Sequence, residues 1–69
     1  MEKVTINSEY IKLNQLLKWA NAVESGGLAN HLITEGFVKV NGETERRKGR
    51  KIRTGDLVEV EQVGSFLVE

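Results

Sequence analysis

A chain of 69 residues and 7.7 kDa has room for one domain, residues 1–69, and none for a deep cleft of the kind that holds a drug-sized substrate. It has no cysteine and a single histidine, which excludes disulfides and thiolate metal sites and leaves histidine-based metal or triad chemistry without support. Ten Lys and Arg balance ten Asp and Glu, no apolar run is long enough to span a membrane, and Met1-Glu2-Lys3-Val4 lacks the regions of a signal peptide, so a cytoplasmic protein is expected.

Val4-Thr5-Ile6 is a short β-prone alternation and is assigned as the first strand, with Asn7-Ser8-Glu9 as the turn after it. Leu13, Leu16, Leu17 and Ala20 then recur at i, i+3, i+4 and i+7, one face of a helix placed at about 13–22. Asn14 or the preceding turn is expected to cap it. Trp19 and Ala22 widen the stripe, and Val23 follows it. Ser25 is a suitable N-cap for a second helix over about 26–35, with Leu28, Ala29, Leu32 and Ile33 as its buried stripe. Gly36 falls just past the last periodic residue, where a helix that ends in a left-handed residue places glycine.

The remainder reads as β-structure. Phe37, Val38 and Val40 lead into Asn41-Gly42, a pair that tolerates the positive φ angles of a two-residue hairpin turn, and Glu43-Thr44-Glu45 is the return strand. Arg53-Thr54-Gly55-Asp56 is a turn, Leu57-Val58-Glu59-Val60 alternates, and a last turn at Gly64 precedes Phe66-Leu67-Val68. Phe37 and Phe66 are assigned to the core. The expected architecture is α+β: a two-helix hairpin packed on a small, mostly antiparallel sheet.

The zero net charge hides an asymmetry. Residues 46–53 read Arg46-Arg47-Lys48-Gly49-Arg50-Lys51-Ile52-Arg53, six cations with no anion, while all ten anions lie elsewhere. Such a block neutralises phosphates, releases their counterions and gives a salt-dependent affinity. The alternative is a solvated loop whose arginines pair with Glu43, Glu45 and Glu59. Surface pairs of that kind return only ~0–1 kcal/mol each, so stability is a weak reason to keep the block.

Ile33-x-x-Gly36-x-Val38-x-Val40-Asn41-Gly42, followed by Gly55-Asp56-x-Val58, resembles the RNA-binding domain first described in small-subunit ribosomal protein S-four, the alpha-L fold. The resemblance covers residues 11–60. Leu16-Leu17-Lys18, Ser25-Gly26-Gly27-x-Ala29 and Glu45-x-Arg47-x-Gly49-x-Lys51 look most like the free-standing bacterial YaaA/YbcJ-type members. It implies a non-catalytic RNA-binding module, with structured ribosomal RNA as partner and a place in ribosome assembly. This chain has Lys12-Leu13-Asn14 where the superfamily usually has Arg-Leu-Asp, and Gly26-Gly27 and Asn30 where basic residues are common on the second helix. Those departures move the expected phosphate contacts onto the 46–53 block.

The candidate RNA-contacting residues are therefore Arg46, Arg47, Lys48, Arg50, Lys51 and Arg53, with Lys39 on the ribbon that leads to them and Lys12 on the first helix. Gly26 and Gly27 open a helix N-terminus that favours an anion, or else form a tight interhelical turn with φ > 0. Asn30, with His31 and Thr34, either bonds RNA or is a plain polar helix face. Trp19 and Tyr10 are read as core or rim packing in preference to base stacking. No cofactor, metal or small-molecule substrate is expected. Three other readings compete: a protein-interaction adaptor whose basic loop meets an acidic partner; a β-grasp sulfur carrier, disfavoured because the chain ends Phe66-Leu67-Val68-Glu69 without the Gly-Gly tail; and DNA binding, for which no helix is rich in Arg, Asn or Gln to read a major groove.

Overall fold

A computed structural model describes residues 1–69. Seven strands and two helices follow one another: β1 (Glu2–Val4), β2 (Ile11–Lys12), α1 (Leu13–Trp19), α2 (Gly26–Thr34), β3 (Val38–Val40), β4 (Glu43–Thr44), β5 (Lys51–Ile52), β6 (Leu57–Val60) and β7 (Gly64–Val68). Five strands form one sheet in the order β1-β7-β6-β3-β4. The other two, β2 and β5, form a separate antiparallel ribbon. The main sheet is antiparallel except for β1, which runs parallel to β7. One core of 14 buried apolar residues draws on both layers, with Leu13, Leu16, Leu17, Ala29 and Ile33 from the helices and Val38, Val40, Val58, Val60, Phe66 and Val68 from the sheet.

Local chemistry explains most boundaries. Ser25 Oγ accepts the Leu28 N–H at 3.2 Å and starts α2. Gly36, at φ +86°, ends it, with Gly36 N–H on the Ile33 carbonyl at 3.1 Å and Phe37 N–H on the Leu32 carbonyl at 3.0 Å. The first helix ends the same way and earlier than its periodicity predicts. Asn21 takes φ 57°, and its N–H and that of Ala22 reach the Lys18 and Leu17 carbonyls. Asparagine serves here as the left-handed cap residue. Asn41 and Gly42, at φ 53° and 86°, close the β3–β4 hairpin.

Other expectations are corrected. The first strand lies at Glu2–Val4, two residues upstream of Val4-Thr5-Ile6, although Ile6 N–H still reaches the Glu69 carbonyl at 2.9 Å. Phe37 is exposed because it has the opposite parity to Val38 and Val40, which point into the core. Leu28 is exposed because the buried stripe of α2 is the narrow pair Ala29 and Ile33. Trp19 is exposed because it lies about 110° round α1 from the centre of the leucine stripe. Ile11–Lys12 forms a two-residue strand that no alternation in the sequence announces. No helix is long and apolar enough to cross a membrane.

Candidate nucleic-acid interface

The basic segment is a shaped loop built round one carboxylate. Glu45 continues the β4 edge, its N–H on the Val38 carbonyl at 2.9 Å, and its side chain is buried. Its carboxylate accepts from the Arg47 backbone N–H at 3.1 Å, from Arg47 Nε and Nη2 at 3.0 Å each, and from Arg50 Nη1 at 2.9 Å. The hydrogen bonds from Arg47 lower the Glu45 pKa from 4.5 to about 2; burial opposes them and the bond from Arg50 assists. In return the carboxylate raises the Arg47 pKa. Of the three glutamates considered as counter-charges, Glu45 alone pairs with the loop's arginines.

The loop also completes α1. Lys12 is the N-cap residue and makes no side-chain cap bond. The first helical N–H groups donate instead to loop carbonyls, Leu13 to Arg50 at 2.8 Å and Asn14 to Lys48 at 3.0 Å. Two donors that a helix start leaves orphaned are thus satisfied by backbone from the basic segment. Ile52, fully buried, anchors the far end of the loop, where β5 pairs with β2.

That pairing gathers charge. Lys12 lies directly opposite Lys51, an arrangement that costs stability by like-charge repulsion. Beside them the Tyr10 ring carries Lys51 Nζ at 4.9 Å and Arg53 Cζ at 5.7 Å from its centroid. The protein's three ion pairs are Lys3–Glu69, Arg47–Glu45 and Arg50–Glu45, so Lys12, Lys48, Lys51 and Arg53 have no carboxylate partner. A shallow concavity of about 680 Å³ is walled by Arg47, Gly49, Arg50, Lys51 and Arg53, with no apolar residue among them.

The other candidates lie differently. Arg46 donates from Nη1 to the Thr34 carbonyl at 3.1 Å, at the C-terminus of α2, and its guanidinium covers Gly36. It has a structural task that the sequence did not reveal. Lys39 stands on the outer face of the sheet opposite Glu59, in a concavity that shares no residue with the loop's. Gly26 and Gly27 sit at the end of α2 remote from Arg46, about 12 Å along the helix from Thr34. Neither has positive φ, and a Cβ at Gly26 would meet nothing within 4 Å, so the tight-turn explanation does not apply to them. Asn30 Oδ1 accepts from Asn14 Nδ2 at 3.1 Å and ties the two helices together.

Gly36 offers a local check. An added Cβ would lie 2.8 Å from Arg46 Nη1, at a φ that side chains tolerate poorly. Gly36→Ala is expected to cost about 1–2 kcal/mol in urea unfolding, by left-handed strain and loss of the Arg46 cap. An unchanged midpoint would mean that neither contributes.

Sequence reasoning missed Glu45 as the organiser and Tyr10 as a cation partner. The spacing Glu45-x-Arg47 was the available signal, since residues two apart in an extended segment share a side.

Two comparisons bear on these features. A family model described as the S4 domain matches residues 4–69, a wider span than the 11–60 of the sequence motifs. A curated relative from Bacillus subtilis (strain 168) is 46% identical over 65 residues, which is 94% of this chain and 92% of the relative; it carries the name "Probable ribosome maturation protein RlbA".

Proposed function

The chain belongs to the S4 domain family of RNA-binding modules, and from that premise we propose that it binds folded RNA, with ribosomal RNA as the target, through the basic segment between β4 and β6 and the adjoining Lys12 of β2. The observation that carries this reading is the set of cations without a carboxylate partner, Lys12, Lys48, Lys51 and Arg53, held on a frame that α1 and the buried Glu45 keep in shape. Arg47 and Arg50 add charge while they hold Glu45. The name of the similar Bacillus protein supports a place in ribosome maturation.

The action is binding, without catalysis. Phosphate contacts fix the register, and contacts to bases or to RNA shape supply any selectivity. Folded RNA suits a fixed ridge of cations because its phosphates are closely spaced and its 2′-hydroxyls are exposed. Lys39, Gly26 and Gly27 stand apart from the ridge and belong at most to a second, weaker contact.

A salt titration of binding to a structured ribosomal RNA fragment, with duplex DNA of equal charge as control, tests the reading. Contact with three to five phosphates predicts a fall of log K with log salt at a slope of roughly −2 to −4, with the RNA preferred. A slope near zero removes phosphate contact. Equal, weak binding to both nucleic acids reduces the loop to an electrostatic patch and turns the search to an acidic protein partner.

A further inference from the structure

We propose that the concavity between residues 6–11 and the outer flank of α1 is a stacking subsite for one unpaired nucleobase of the bound RNA. This rests on the RNA-binding reading above and names the part of the RNA that the cationic ridge does not reach.

The concavity encloses about 560 Å³ and is lined by Ile6, Tyr10, Ile11, Lys12, Gln15 and Trp19 among others. It holds the only tryptophan and the only tyrosine of the chain. Trp19 is 61% exposed, an unusual state for the largest aromatic in so small a protein. Its indole is also fixed, because Nε1–H donates to the Thr5 carbonyl at 3.1 Å. The segment that carries Thr5 is held in turn by Ile6 N–H on the Glu69 carbonyl. An exposed ring tied at one edge offers flat apolar area with little ordering left to lose, which is what a stacking platform requires.

Charge selects the occupant. Lys12 lines the concavity and lies opposite Lys51, and Tyr10 lines it while its ring carries Lys51 and Arg53. The stacking surface and the cation ridge therefore adjoin, through Lys12, which belongs to both, and through Tyr10, whose ring meets Lys51 and Arg53. A nucleotide joins a flat neutral base to a phosphate through one sugar and fits that pairing. Glu9 lines the same concavity and disfavours a phosphate inside it, while Asn7 and Gln15 offer amide donors and acceptors to a base edge. A duplex keeps its bases stacked within itself, so the base must come from a loop, bulge or end.

The single tryptophan makes the test direct. Two end-labelled RNA hairpins are compared, one fully paired and one with a single unpaired purine bulge. Binding is read by anisotropy of the label and stacking by tryptophan emission. The bulged hairpin is expected to bind about ten-fold more tightly and alone to quench Trp19. Trp19→Ala should abolish that preference and leave affinity for the paired hairpin unchanged, while Trp19→Phe retains part of the preference. Tight, salt-dependent binding of both hairpins with unaltered emission, or a preference that survives in Trp19→Ala, overturns the subsite and leaves the RNA-binding reading standing. If neither hairpin binds at low salt, that reading falls and the subsite falls with it.

Discussion

Glu45→Gln is expected to lower the unfolding free energy at pH 7 by about 1–2 kcal/mol and to weaken RNA binding, although it makes the protein one unit more positive. The carboxylate accepts four hydrogen bonds from Arg47 and Arg50. Its fall in pKa from 4.5 to about 2 sets a ceiling of about 3 kcal/mol on its contribution. The Arg47 side chain is 77% exposed, so solvent screening brings the expected value below that ceiling. The sign with pH follows from the direction of the shift. A group with a depressed pKa in the folded state stabilises fully above its unfolded value and loses that contribution as pH falls through its folded value. The stabilities of wild type and Glu45→Gln should therefore converge between pH 4.5 and about 2. Urea midpoints across that range check it. The binding result separates two accounts of the loop. A loop that acts only by charge gains affinity from the substitution, whereas a loop that needs its shape loses it. Tighter RNA binding with unchanged stability would falsify the organising role of Glu45.

The features legible in the sequence are those set within a few residues of chain. Ser25, Gly36 and the Asn41-Gly42 turn each do what local hydrogen bonding and positive φ require of them. The second part of the family pattern gains its reason only in three dimensions. Asn41 Nδ2 donates to Asp56 Oδ1 at 3.0 Å and Asn41 Oδ1 accepts the Leu57 N–H at 2.9 Å, so the Val-Asn-Gly and Gly-Asp motifs are two halves of one junction. What the sequence hid is non-local. The pairing of β2 with β5 involves two residues on each side and carries no periodic signal, yet it brings Lys12 to Lys51. Lys48 and Arg50 cap α1 with their carbonyls, which side-chain chemistry cannot announce. Arg46 illustrates the limit on assigning sites from charge: an arginine that caps a helix and one that meets a phosphate look alike in a run of cations.

That distinction decides which cations to remove. A combined Arg46, Arg47 and Arg50 to alanine variant takes away the α2 cap and both partners of Glu45, so a loss of RNA binding in it would mix charge with collapse of the loop. The combination Lys12→Ala, Lys51→Ala and Arg53→Ala removes equal charge from side chains that hold no ion pair. It relieves the Lys12–Lys51 repulsion and forfeits two cation–π contacts on Tyr10, effects of opposite sign that are each below about 1 kcal/mol. Its urea midpoint is therefore expected to stay near wild type. Affinity for structured RNA should fall steeply. Each phosphate contact contributes about a factor of five to eight at 0.1 M relative to 1 M salt, so three contacts amount to a loss of roughly one hundred- to five hundred-fold at 0.1 M. The salt slope should flatten by about 2 to 3 in the same titration. The two readouts must move together, because counterion release causes both. An affinity loss with the wild-type slope would point to a changed loop conformation, and wild-type affinity and slope would move the phosphate contacts off this ridge altogether.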